Sequence, residues 1–153
     1  MGRMINAIVR NLDQEIIKRQ GFQLDSEETL AEVHFKTVQR HLDTQMNVVI
    51  MTGGNSGLQV PHYHKHGFDF FVVLQGRGWL HTADVEDGQI SAAGWLHQRL
   101  ERGDSYSIEP NQAHCLLNDQ ADDLVFLNLS PAAHMSTDYF VLDDVDLNSL
   151  RDP

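Results

Sequence analysis

The tripeptide His62-Tyr63-His64 constrains this chain more than any other feature. Histidines two apart share a face on an extended strand, where successive side chains alternate. Asp69 follows shortly after, and His114 lies much further along. Three imidazoles and one carboxylate suit a divalent first-row metal ion. A pair on one strand grips an ion from one side only, so a second segment must close the site. The spacing therefore predicts a β scaffold and a metal together.

The surrounding chain reads as short strands with frequent turns. Residues 31–38 alternate, with Ala31, Val33, Phe35 and Thr37 on one face and Glu32, His34, Lys36 and Val38 on the other; this predicts a half-buried strand. Val48 to Met51 predicts another, ended by Gly53-Gly54-Asn55-Ser56-Gly57. Phe70 to Leu74, Gly76-Arg77-Gly78 and Trp79 to Val85 predict a hairpin with a glycine-rich turn. Further strands are expected at 105–108, 114–117, 124–129 and 139–142. Residues 12–20 predict a short amphipathic helix with Leu12 and Ile16 on one side, stopped by Gly21. Turns every eight to twelve residues or so favour an antiparallel sandwich or barrel.

Two segments resemble the motifs of the cupin superfamily. His62-x-His64-x4-Asp69-x6-Gly76 is similar to the first motif, in which histidines, a glutamate and a glycine stand at these spacings. Gly103-Asp104 through His114 to Asn118 is similar to the second. The resemblance covers about residues 45–130 and leaves an N-terminal extension, residues 1–44, outside it. It implies a single all-β domain, an antiparallel double-stranded β-helix or jelly-roll barrel, preceded here by a short helix. It also implies one metal per chain on His62, His64, Asp69 and His114. Three positions depart from the pattern. Asp69 replaces the usual glutamate and is one methylene shorter, so it either reaches the ion or orients a histidine. Glu109 stands at the usual proline, with Pro110 one place late. Asn111 replaces a glycine, and asparagine tolerates a left-handed backbone better than most residues.

Imidazole and carboxylate together fit Fe(II), Mn, Ni or Zn. A turn at Gly67 would restore the strand's parity, so that Asp69 projects inward with Phe71 and Val73. Phe71, Val73 and Leu116 are the expected apolar wall of a pocket, and Asn118 is expected to orient a ligand or a turn. His66 continues the even-numbered series; it is a candidate acid or base, weighed against a solvated turn residue. Cys115 should point away from the ion as a small core residue.

Net charge is −11, with 11 Lys and Arg scattered among 22 Asp and Glu. That balance disfavours nucleic acid as a partner. The chain has 153 residues, one cysteine and no long apolar run, so the expectation is a cytoplasmic protein without disulfide or membrane span. Small-molecule chemistry remains. Cupins with such sites include dioxygenases, isomerases, lyases and decarboxylases, and others bind small ligands as sensors. Cupins that cleave sulfonium compounds typically carry a tyrosine where Phe71 stands. An apolar cup suits an aromatic or enol-type substrate better than a sugar phosphate, unless Arg99 or Arg102 faces inward. The expectation is therefore dioxygenase-like chemistry. Cupins commonly pair, so a homodimer is expected, with the 31–38 strand as a candidate contact.

Overall fold

The computed structural model describes residues 9–24 and 31–153. A short helix, α1 (Leu12–Lys18), precedes β1 (Gln23–Leu24), β2 (Val33–His41), β3 (Thr44–Met51), β4 (Gly57–Leu58), β5 (His62–Tyr63) and β6 (Asp69–Gln75). There follow β7 (Arg77–Glu86), β8 (Gln89–Ile90), β9 (Leu96–Glu101), β10 (Ser105–Ile108), β11 (Gln112–Asn118) and β12 (Leu124–Pro131). A 3-10 turn (Ala132–Met135), β13 (Phe140–Val141) and a terminal helix, α2 (Leu147–Arg151), complete the described chain. The strands form two antiparallel sheets. One runs β1-β2-β3-β12-β6-β10; the other runs β13-β5-β11-β7-β8, with β4 on β11 and β9 on β7.

The expected hairpin over 70–85 is not formed. Although Gly76 alone separates β6 from β7, the two strands lie in different sheets: β6 pairs with β12 and β10, and β7 with β11 and β9. Gly76, at φ +84°, carries the chain across, and a Cβ there would lie 2.3 Å from the carbonyl oxygen of Asp123. Backbone packed that closely leaves room for glycine alone. The chain does form a tight hairpin one strand later, where Asp87 and Gly88 both adopt positive φ between Glu86 and Gln89, as a type I′ turn requires.

Alternation sorts the side chains of both sheets. Along β6, Asp69, Phe71 and Val73 are buried, while Phe70 and Val72 are exposed. The apolar interior between the sheets gathers Val33, Val49, Phe71, Val73, Leu116 and Phe126 with their neighbours. β2 is covered on both faces. Its register shifts between Thr37 and Gln39, and Val38 packs outward with Ile16, Val48, Ile50 and Val125 beneath α1. The lysine on that face, Lys36, reaches Glu15 and the carbonyl of Gln20. β1 also pairs with β2 at His34 and Phe35. Part of the strand expected to present a contact surface is thus occupied by its own chain, while Thr37, Arg40 and His41 are exposed. α1 ends one turn earlier than Gly21, because Arg19 takes the left-handed conformation and its N–H caps Glu15. The opposite outer face packs Leu58, Cys115, Leu117 and Leu150 under α2; Cys115 is fully buried there. Among the described residues, no helix is long and apolar enough to cross a membrane.

Candidate metal centre

His62 and His64 flank Tyr63 at the end of β5, and His62 pairs directly with His114 of β11. Gly67, at φ +73°, turns the chain from β5 into β6, and the turn delivers Asp69 to the inner face. All four side chains are buried. The ligand-capable nitrogens of His62, His64 and His114 lie within 4.8 Å of one another. The Asp69 carboxylate faces them: its Oδ2 is 3.2 Å from His64 Nε2 and 3.8 Å from His114 Nε2. Donors about 2.1 Å from one ion stand roughly 3.0–3.4 Å apart. The short aspartate arm therefore reaches the cluster.

Hydrogen bonding shows what the cluster lacks. His62 donates its Nδ1–H to the Val60 carbonyl at 2.8 Å, His64 to the Asp138 carbonyl, and His114 to the Gln112 carbonyl at 3.4 Å. A carbonyl can only accept, so each Nδ1 carries a proton and each Nε2 is the nitrogen left to face the cluster. Burial, followed by the neighbouring imidazoles, pushes His62 well below its ordinary pKa, and burial holds His114 down to about 4. Both rings are neutral at pH 7. Burial alone would raise Asp69, but the hydrogen bond from His134 and the imidazoles of His64 and His114 beside it win and hold it well below the usual carboxylate range. The Nε2 lone pairs of the neutral His62 and His114 thus converge with a negative oxygen, which is costly inside a protein unless a cation sits among them. The donor set fits a divalent transition metal.

His134 stands outside both sequence motifs. It lies in the 3-10 turn, buried and stacked on His64 with ring centroids 4.0 Å apart and an interplanar angle of 1°. Its Nδ1 donates to Asp69 Oδ1 at 2.7 Å, and its Nε2 donates to the His66 carbonyl. Both nitrogens meet obligate acceptors, so the ring is an imidazolium. Burial opposes that charge, but the hydrogen bonds to Asp69 and His66 and the nearby Asp138 carboxylate raise its pKa. His134, Asp69 and His64 form a second group of suitable spacing, yet His134 has no lone pair to offer; it fixes Asp69 so that Oδ2 points at the cluster. Asp138 completes the support. Its carboxylate accepts from the N–H groups of Lys65 and His66 at 2.7 and 2.9 Å, and its carbonyl orients His64. A histidine and an aspartate four apart, His134 and Asp138, were the one local signal for this layer.

The cluster opens into a cavity of about 70 Å³. That is space for roughly five waters, or one small ring. Phe71 and Leu116 line it, joined by Tyr106, Phe126 and Tyr139; Tyr139 stacks on His62 at 4.5 Å. Val73 and Asn118 lie outside its wall. Val73 belongs to the packed interior. Asn118 donates to the carbonyls of Met51, Thr52 and Asp122 and accepts from Gln120 N–H, so it pins a turn. His66 is exposed and does not border the cavity: strand alternation ends at His64, and His66 sits in the turn with its backbone committed to Asp138 and His134. Arg99 reaches outward to Asp119 at 3.0 Å and lies over Trp79. Arg102 is exposed in the turn before β10.

Residues 46–130 match the family model described as Cupin domain. This chain is a cupin. Solved structures agree on the fold. A protein with a double-stranded β-helix domain from Klebsiella pneumoniae subsp. pneumoniae MGH 78578 superposes with TM-score 0.59 at 17% identity, over 91% of this chain and 100% of that one. The polyketide cyclase RemF from Streptomyces resistomycificus gives 0.60 at 13% identity, over 94% and 89%. KdgF from Halomonas sp. gives 0.54 at 22% identity, over 74% and 90%. No curated protein matches the chain in sequence. The cupin's supporting residues His134 and Asp138 fall beyond the matched segment.

Proposed function

We propose that this cupin is a metal-dependent enzyme acting on a small, largely apolar molecule by dioxygenase-like chemistry. One divalent ion per chain, Fe(II), Mn, Ni or Zn, would be held by Nε2 of His62, His64 and His114 and by Oδ2 of Asp69. The observation that carries this reading is the convergence of three imidazole Nε2 atoms and an ionised carboxylate in a buried cluster. The ion would supply a Lewis acid and, where it is redox-active, electrons for dioxygen. The chain's own part is positional. The backbone carbonyls of Val60, Gln112 and Asp138 fix the three imidazoles, and His134 fixes the carboxylate. Phe71, Leu116 and Phe126 exclude water and hold a flat ring against the cluster. No Lys or Arg borders the cavity among the described residues, which weakens the sugar-phosphate reading.

A redox-neutral isomerase or lyase is the alternative, supported by RemF, a cyclase of similar fold. Metal analysis of chelator-free protein, followed by dioxygen uptake with enols and catechols, separates the two. Close to one equivalent of metal and substrate-dependent uptake are expected. Absence of metal after reconstitution with each of the four ions refutes the centre; metal without uptake favours the redox-neutral reading.

A further inference from the structure

Two side-chain amides in the cavity wall have their oxygens already committed. Gln59 Oε1 accepts the backbone N–H of Leu116 at 3.2 Å. Asn128 Oδ1 accepts from Asn47 Nδ2 at 3.2 Å and from Ser130 Oγ at 3.0 Å. Asn47 is in turn held by Thr37, whose hydroxyl donates to Asn47 Oδ1 at 2.7 Å. The chain from Thr37 through Asn47 to Asn128 therefore runs in one direction and ends with the NH2 group of Asn128. The two amides are held by different sheets: Asn128 stands opposite Phe71 and Asn47 in one, and Gln59, just past β4, is bound to Leu116 of the other. Both border the cavity that holds the metal cluster. An amide NH2 can only donate, and with each oxygen committed to the scaffold the NH2 group is the part of each amide left to serve the cavity that both residues line.

Resting on the reading of this cavity as the substrate site, we infer that Gln59 and Asn128 are specificity-determining donors for an uncharged single-ring hydroxyketone or enol. One substrate oxygen would face the metal ligands and a neighbouring one would accept from the amides. Their oxygens are locked to the scaffold, so the NH2 groups are held in place before the ligand arrives and cost little to order. Neutral donors match a carbonyl oxygen. A carboxylate or phosphate on the far side of the ring would meet Phe35, Phe126 and Val49, with no cation to offset its desolvation, and the net charge of −11 opposes its approach.

The test uses the full-length protein loaded with Zn(II), which avoids turnover. Maltol is the neutral ring, comenate is a related ring bearing a carboxylate, and calorimetry reads the affinity. Maltol should bind, and comenate at least tenfold more weakly. Gln59→Met and Asn128→Leu should each weaken maltol about five- to tenfold, the worth of one hydrogen bond, with zinc content unchanged. Asn128→Leu strands Asn47 and Ser130, so if it fails to fold Gln59→Met carries the test. Unchanged maltol affinity in the folded variants overturns the role of the amides. Comenate binding as tightly as maltol overturns the uncharged class. A zinc-loaded chain that binds neither ring also overturns the inference, whereas a chain that takes up no zinc defeats the proposed metal centre instead.

Discussion

His134→Leu tests the supporting layer most directly. In the native arrangement one imidazolium donates to Asp69 Oδ1 at 2.7 Å, and the other carboxylate oxygen faces His64 and His114. Leucine removes the donor and leaves Oδ1 buried without it. A hydrogen bond to a charged group contributes about 1.5–3 kcal/mol, and groups orienting a ligand typically change metal affinity 10- to 100-fold. The two scales agree, since tenfold corresponds to about 1.4 kcal/mol. We expect the dissociation constant for Zn(II), measured by competition with a chromophoric chelator, to rise 10- to 100-fold. The same substitution in an Asp69→Asn background should add little, because the residue it orients has already lost its charge. Wild-type affinity in His134→Leu, or fully additive losses in the double variant, would refute the argument that His134 acts through Asp69.

Two further outcomes are expected. Burial holds His114, and burial with neighbouring His97 holds His81, down to about 4; the unfolded chain takes up those protons near 6.5. The unfolded state thus binds more protons between these values, so the contribution of His114 and His81 to stability is full above about pH 6.5 and falls as the pH drops toward 4. His114 alone accounts for roughly 3 kcal/mol, and a urea midpoint of metal-free protein unchanged between pH 7.5 and 4.5 would contradict this. Asn118→Ala should cost about 3 kcal/mol or more, because three carbonyls and one N–H lose a fully buried partner; zinc uptake by the protein that folds should be normal, and weakened uptake would show that Asn118 serves the site.

Fold and cluster differed in how far the sequence revealed them. Alternation along β6 placed Asp69, Phe71 and Val73 on one buried face, and Asn111 adopts the positive φ of 59° that its replacement of a glycine suggested. Period-two patterning reports which face a residue takes but not which strand lies beside it. Hence the 70–85 segment read as a hairpin, although Gly76 carries it from one sheet to the other. Val38 looked solvent-facing because nothing local to 31–38 says that Ile16 will cover it. His66 followed the even-numbered series past the point where the strand ends. His134 was missed for the complementary reason: it lies in a turn, where no alternation predicts facing, and its partner Asp69 is 65 residues away.

The segment after β12 carries a consequence for handling the protein. β13 pairs with β5 at Tyr63 and His62, Asp138 secures the backbone of Lys65 and His66, and His134 secures Asp69. A chain trimmed to the matched residues 46–130 would keep all four candidate ligands and every strand that carries them. It would lose the clamp that aims two of those side chains and the strand that edges a third. Domain boundaries drawn by family likeness would therefore yield a barrel bearing the right residues in slack orientations, whose weak metal uptake would be mistaken for a property of the intact protein.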